Sequence, residues 1–183
     1  MRRSLPLVVP LVIVLACSVP GRPVKAEPLF DDQQIISRLT DDIWPAVTAY
    51  NLSPTQVSPG AIAFRGIVDP GLRSPNEVQA YDELRDAVQK LGRQGEYDPD
   101  TQTTHSNDGM EIRRADVASV QGGATVVSLC YTYIDSSYGD IHNPQKSPGA
   151  SEASVELVAV NGVWYLHAIT DDRTVSGCAD TNG

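Results

Sequence analysis

Hydrophobic residues recur with a helical period in the first part of the chain and with a period of two in the second part. From Asp31 onward the apolar residues fall three and four positions apart, which is typical of an amphipathic helix. This apolar series comprises Ile35, Ile36, Leu39, Ile43, Val47 and Tyr50. Pro45 lacks the backbone N–H that a helix interior uses, so it predicts one bent helix or two short ones. We expect Trp44 and Tyr50 to pack in the core.

A second helix is predicted after Ser74-Pro75-Asn76-Glu77. This tetrapeptide is typical of an N-cap serine, a proline at the first helical position and a capping-box glutamate. The apolar face that follows comprises Val78, Tyr81, Leu84, Ala87, Val88 and Leu91. Gly92 or Gly95 is expected to end this helix. Prolines and glycines punctuate residues 51–74, where only residues 61–68 could form a short helix or strand.

From Met110 onward apolar and polar residues alternate, which indicates half-buried strands. The pattern predicts four sequential antiparallel strands, at residues 111–119, 124–134, 155–160 and 163–169. Asn161-Gly162 supplies the two positive φ angles of a type I′ hairpin turn. Residues 96–108, which include His105, and residues 135–149 are predicted to be loops. The sequence therefore predicts an α+β fold, with N-terminal helices packed on a curved antiparallel sheet of four or more strands.

The length and composition fit one ordinary globular domain plus a targeting segment. The chain has 183 residues, of which 41% are hydrophobic and 20% charged, and a second full domain is not expected. We assign residues 1–16 to a signal peptide, residues 17–30 to a lipid-proximal flexible tether and residues 31–183 to a single α+β domain.

The N-terminal segment predicts export. Two arginines precede an apolar run, residues 5–16, that is too short and too interrupted by prolines for a membrane span. The run ends at Val14-Leu15-Ala16-Cys17, which resembles a lipobox, so we expect lipidation of Cys17 and a location on the outer face of the cytoplasmic membrane. The alternative is cleavage after Val24-Lys25-Ala26, which would release a secreted protein that starts at Glu27.

Three cysteines in an exported chain leave one without a partner. Cys130 and Cys178 lie in the predicted domain and can pair, and such a bridge would stabilise the fold by about 4 kcal/mol on the chain-entropy model. Acylation explains the remaining Cys17. The alternative is that Cys17 is only an apolar leader residue that is lost on processing.

The net charge of −9 argues against a nucleic-acid partner, because no basic patch supplies the counterion-release term of phosphate binding. Arg113 and Arg114 are adjacent, and alternation predicts that they lie on opposite faces of a strand. Electrostatic attraction to an anionic membrane surface has no support either. The expected membrane contact is therefore the N-terminal lipid anchor.

The order of helices followed by two hairpins resembles the nuclear transport factor 2-like, cystatin-like cone, in which a curved sheet wraps helices and encloses a cavity. The strand-rich half resembles uncharacterised actinobacterial secreted and lipoprotein domains of this fold. The residues that carry this resemblance are Ala124-Thr125-Val126-Val127, Cys130, Asp135-Ser136, Gly162-Val163-Trp164 and Cys178. The resemblance implies a cone fold and a Cys130–Cys178 disulfide, and it implies no activity.

Enzymes of the cone fold place an Asp, His or Tyr inside the cavity, where desolvation raises the pKa of a carboxyl group for general-base work. On the last strand, alternation places Trp164 and Leu166 on one face, with Ala168, and Tyr165 and His167 on the other. Either pair could line a cavity. His167 is the best acid–base candidate, although a structural, hydrogen-bonded histidine is the stronger expectation.

The other polar candidates have simpler explanations. Asp116 and Arg114 fit a solvated strand face with a surface ion pair. His142 and Asp140 do not supply the three or four ligands that zinc needs, and Asp171-Asp172 fits a solubilising strand end better than a calcium site. We expect no catalytic residue, no metal and no cofactor.

The sequence thus predicts an exported, lipid-anchored envelope protein with a non-enzymatic, cone-like domain that binds a small apolar ligand or an envelope protein. Two alternatives stay open. One is a cavity enzyme of the ketosteroid isomerase or dehydratase type, and the other is a scaffold subunit of an envelope secretion or lipid-transfer assembly.

Overall fold

The structure, a computed structural model, describes residues 31–139 and 143–178. The helices are α1 (Asp32–Arg38), α2 (Trp44–Leu52), α3 (Pro59–Ile67) and α4 (Val78–Lys90), with 3-10 turns at Pro70–Arg73 and Leu91–Arg93. The strands are β1 (Tyr97–Asp98), β2 (Thr103–Gln121), β3 (Ala124–Tyr138), β4 (Gln145–Val160) and β5 (Val163–Val175). The predicted signal peptide, Cys17 and the tether lie outside the described residues, as do Asp140 and His142.

The first predicted helix is confirmed as one bent element. A π-helical turn, Leu39–Ile43, joins α1 to α2. Pro45 lies at the start of α2 and donates no backbone hydrogen bond, which accounts for the changed bonding pattern one turn earlier. The predicted apolar face is confirmed by four completely buried members, Ile35, Leu39, Ile43 and Val47. Trp44 and Tyr50 are also buried in the core, as expected.

Residues 61–68, for which the sequence left helix and strand open, belong mostly to α3. Ser58 caps this helix, because its Oγ accepts a hydrogen bond from the backbone N–H of Ala61 at 3.0 Å. The N-cap predicted at Ser74 is wrong. Ser74 instead ends the preceding 3-10 turn, and its carbonyl accepts from the N–H of Glu77 at 3.1 Å. The helix α4 consequently begins one turn later than its sequence signal indicates.

The strands form one antiparallel sheet in the order β1-β2-β3-β4-β5. Both predicted hairpins are confirmed, since Gln121 pairs with Ala124 and Val160 pairs with Val163 across their turns. Asn161-Gly162 adopts the two positive φ angles of the expected turn, 53° and 81°. With the helices on one face of this sheet, the predicted α+β class is confirmed.

The two predicted loops, residues 96–108 and 135–149, are largely strand. The ladder between β2 and β3 continues from Asn107–Asp135 to Thr104–Tyr138, and β4 begins at Gln145. The polar side chains at this end of the sheet hydrogen-bond one another across the strands. Their polarity therefore suggested a loop where the chain forms strands.

Side chains from the helices fill the space against one face of the sheet. The large, completely or almost completely buried residues of this core include Phe64, Val68, Leu91, Val127, Leu129, Tyr131, Val155, Leu157 and Leu166. None of the helices in the described residues is long and apolar enough to cross a membrane.

A disulfide bond joins Cys130 in β3 to Cys178 beyond β5, with a Cα–Cα distance of 5.6 Å. Tyr131 points into the core, so the adjacent Cys130 lies on the opposite face of the sheet. The bond therefore ties the C-terminal segment across the sheet face that the helices do not cover. The predicted pairing of these two cysteines is confirmed.

Candidate functional site

Trp164 and Leu166 of β5 point into the core, where both are buried. The chain after α3 covers this position, because Val68 bridges to Leu166 and the N–H of Asp69 donates to the carbonyl of Leu166 at 2.8 Å. Tyr165 lies on the other face and is half-buried. Of the two residue pairs considered for a cavity lining, Trp164 and Leu166 are the ones enclosed, and core side chains pack around them.

His167 occupies a β-bulge that the sequence did not indicate. Leu157 pairs with Leu166 and the preceding Glu156 pairs with Ala168, so His167 is the extra residue of β5. Beyond the bulge the alternation reverses, and Ile169 is buried on the core side instead of Ala168. The sequence prediction that Ala168 shares a face with Trp164 and Leu166 is therefore wrong.

The imidazole of His167 contacts a carboxylate from the helical half. Its Nδ1 lies 2.9 Å from Oδ2 of Asp69, whose Oδ1 accepts from the N–H of Gly71 at 2.8 Å. Asp69 is buried, and the ring of His167 is about one-third exposed. This pair ties β5 to the turn that follows α3, which is what a structural histidine does.

A second histidine–aspartate pair is buried where the loop around His105 was predicted. His105 Nδ1 lies 3.0 Å from both carboxylate oxygens of Asp135, and its Nε2 lies 3.0 Å from Nη2 of Arg93. A guanidinium only donates, so Nε2 is the acceptor and the proton resides on Nδ1. Arg93 also holds Glu96 at 2.7 Å and thereby lowers the pKa of that carboxyl group. The cluster is a satisfied network that joins the turn after α4 to β2 and β3.

Asp172 has a more specific role than the solubilising one expected for it. The buried hydroxyl of Tyr131 donates to Asp172 Oδ1 at 2.6 Å and accepts from the N–H of Gly92 at 3.0 Å. Burial raises the pKa of Tyr131, and desolvation raises the pKa of Asp172. Nothing in the spacing of Asp171-Asp172 signalled this contact, because it spans 41 positions of the chain.

The basic pair in β2 lies on one face of the sheet, which corrects the prediction of opposite faces. A bulge between Ile112 and Arg114 makes Arg113 the extra residue. Arg113 contacts Thr132 at 3.1 Å and Arg114 contacts Glu152 at 3.1 Å, on the face opposite the helices. Arg114 also lies 3.3 Å from the exposed Asp116, which is the solvated ion pair that the sequence indicated.

An open apolar feature is a groove between α2 and β2, which we call the α2–β2 groove. It consists of two adjoining depressions of about 660 and 540 Å³. Both are lined by Thr48, Leu52, Met110 and Glu111. Ile134, which lies in the larger depression, and Leu52 are each more than 40% exposed. The groove thus presents contiguous apolar surface to solvent.

Local irregularities build this groove. A bulge interrupts β2 between Asn107 and Met110, and Gly109 within it has a φ of 121°, a backbone conformation that favours glycine. Beside this bulge, Thr48 Oγ1 donates to the carbonyl of Met110 at 3.3 Å, which fixes α2 against β2. The sequence offered only Met110 as a signal, at the point where the apolar period changes.

The charges at the groove are neutralised in pairs. Asp108 contacts Lys146 at 2.7 Å, and Glu111 contacts Arg113 at 2.8 Å. Such exposed pairs are nearly neutral in energy and leave no unbalanced charge to attract an ionic partner. The geometry therefore favours apolar contact and offers no isolated acid or base in the groove.

Among the described residues, no group of three or more His, Cys, Asp and Glu side chains is placed to hold a metal ion. Asp140 and His142, for which the sequence analysis expected no metal site, lie outside those residues. Comparison with known proteins found no family model that matches the chain, no similar curated protein and no similar solved structure.

Proposed function

We propose that the protein is an exported, lipid-anchored envelope protein whose domain binds an apolar segment of another envelope protein and catalyses no reaction. The α2–β2 groove is the observation that carries this proposal. Exposed apolar patches of this kind mark interaction sites. Small ligands bind in pockets that bury most of their surface, whereas this groove is open and has a charge-balanced rim, which favours a protein segment.

We also propose the nuclear transport factor 2-like cone for the domain. Helices on one face of an antiparallel sheet and three register shifts along β2 support it, since bulges curve a sheet. An enzyme of the ketosteroid isomerase or dehydratase type would need an acid or base beside an open cavity. The side of the sheet that faces the helices is instead packed with core side chains such as Trp44, Tyr131 and Leu166, which supports a binding module.

The anchor is proposed at Cys17, at the end of the apolar leader. The Cys130–Cys178 bond supports export, because disulfides persist in oxidising compartments. Intact-mass measurement of the mature protein tests it. We expect a diacylglycerol-modified N-terminal cysteine and a membrane-bound protein, and Cys17→Ala should lose both the lipid mass and membrane retention. A mature chain that starts at Glu27 without lipid would contradict the proposal.

Site-specific photo-crosslinking in cells tests the groove. A photoreactive amino acid at Leu52 should give a discrete protein adduct, and Ile134→Asp in the same chain should abolish it. Ile62 on α3 is the matched control, since it is an exposed aliphatic residue outside the groove. Equal yields of adduct from positions 52 and 62 would contradict the proposal. An adduct that Ile134→Asp does not change would contradict it as well.

A further inference from the structure

A second pocket lies among the helices and shares no lining residue with the α2–β2 groove. Its volume is about 360 Å³, within the range of small-ligand sites. Tyr50 comes from α2, Phe64 and Arg65 from α3, and Tyr81 and Arg85 from α4. We call this site the helical pocket.

Arg65 has hydrogen-bond capacity to spare in this pocket. Its Nε donates to the carbonyl of Ala61 at 3.4 Å, and its Nη2 donates to the carbonyl of Gln56 at 2.9 Å. Neither partner is charged, and no carboxylate among the described residues pairs with this guanidinium. Its Nη1 has no acceptor there.

Arg85 and Tyr50 add two more donors. Arg85 uses Nε on the Tyr50 hydroxyl at 2.9 Å and Nη1 on Asp82 at 3.0 Å, which leaves Nη2 without an acceptor in the described residues. The Tyr50 oxygen already accepts from Arg85 and from Gln89 at 3.2 Å. Both of its lone pairs are thus engaged, and its hydroxyl hydrogen has no acceptor among the described residues. Tyr50 is only 3% exposed and lines the pocket, so a ligand bound there can supply this acceptor.

The rest of the lining is apolar and aromatic. The rings of Tyr50 and Phe64 stack with centroids 4.5 Å apart, and the Arg85 guanidinium lies 5.9 Å from the centroid of the Tyr81 ring. Ala61 is buried beside them. Such a surface takes the flat or branched body of an organic molecule.

From these donors and rings we infer that the helical pocket binds a small organic carboxylate with an aromatic or branched apolar body. A carboxylate accepts from several donors at once, and the two guanidinium groups and the Tyr50 hydroxyl provide such donors. Asp82 offsets part of the positive charge, so a monoanion suits the site better than a phosphate dianion. The apolar lining accommodates the remainder of the ligand.

Calorimetric titration of the exported protein tests this site with three probes: phenylacetate, its uncharged analogue phenylacetamide, and inorganic phosphate. We expect saturable one-to-one binding of phenylacetate, with phenylacetamide and phosphate weaker by about tenfold or more, since charge-assisted hydrogen bonds and the apolar body both contribute. Phenylacetamide or phosphate that binds as well as phenylacetate would overturn the inference. Absence of saturation by phenylacetate at about 10 mM would also overturn it.

Substitutions inside and outside the pocket test whether phenylacetate binds there. Arg65→Gln and Arg85→Gln should each weaken phenylacetate binding by about tenfold. Lys90→Gln is the matched control, because it removes one positive charge from the end of α4 outside the pocket, and its affinity should stay within about twofold of wild type. Arg65 is exposed, so Arg65→Gln should fold even if Arg85→Gln does not. Equal weakening by Arg65→Gln and Lys90→Gln would refute the assignment.

Discussion

Buried polar side chains make several tertiary contacts that the hydrophobic pattern of the sequence does not reveal. Asn51 is almost completely buried, and its Nδ2 donates to the carbonyls of Val88 at 2.9 Å and Leu91 at 3.1 Å. Its Oδ1 accepts from Asn107 at 3.1 Å. One amide therefore satisfies carbonyls at the end of α4 and joins α2 to β2.

Replacement of Asn51 by alanine should destabilise the fold by about 1–3 kcal/mol, because it removes three buried hydrogen bonds, those to Val88, Leu91 and Asn107. Reversible urea unfolding measures this loss. Asn76→Ala is the control, since Asn76 is exposed in the turn before α4 and its replacement should change stability by no more than about 0.5 kcal/mol. Equal effects of the two variants would show that the Asn51 network contributes nothing specific.

Asp172 should make stability depend on pH. Its Oδ1 accepts from the buried Tyr131 and desolvation raises its pKa, although the residue as a whole is exposed. A carboxyl group with a higher pKa in the folded state stabilises most at low pH, and the contribution is lost as pH rises through that pKa.

The variant Asp172→Asn keeps an acceptor oxygen and removes the charge. We therefore expect it to gain stability relative to wild type as the pH rises from about 4 to 7. Urea unfolding of both proteins across that range gives the difference. A difference that does not change with pH would contradict the assigned role of Asp172.

At the scale of elements, the sequence predicted the helices and turns that depend on a local pattern of residues. The period of the apolar residues placed the bent first helix and α4, and the Asn161-Gly162 turn placed the second hairpin. The start of β2 was missed because His105 and Asn107 are polar yet buried, and their partners Asp135 and Asn51 lie far away in the chain. The α2–β2 groove and the helical pocket depend on which elements meet in space, so no local pattern could indicate them.

Two glycines of α3 differ in how closely neighbouring atoms pack against them. A Cβ on Gly60 would collide with the backbone of Ala49 in α2, whereas a Cβ on Gly66 would meet open space. Gly60→Ala should therefore destabilise by about 1–3 kcal/mol, because it forces α2 and α3 apart. Gly66→Ala should stabilise by about 0.5–1 kcal/mol through helix propensity and unfolded-state entropy. Thermal unfolding of both variants checks the opposite signs, and a shared sign would refute close packing at Gly60.

For the whole molecule, the disulfide links the middle of the sheet to the end of the described chain. Cys130 and Cys178 are 48 positions apart, and the closed loop contains β4, β5 and their hairpin turn. A cross-link over that length restricts the unfolded chain by about 4 kcal/mol on the chain-entropy model. This is a large share of the 5–15 kcal/mol that stabilises a typical domain.

The double variant Cys130→Ala/Cys178→Ala should therefore unfold at a markedly lower urea concentration, with a loss of about 4 kcal/mol. Alanine is the appropriate replacement because Cys130 is completely buried, and a serine hydroxyl there would add a desolvation cost of its own. Reduction of the wild type provides the internal control. It should lower the midpoint toward that of the double variant, while the variant itself should not respond to reductant. An unchanged midpoint in the variant would mean that sheet and core packing alone hold the C-terminal segment in place.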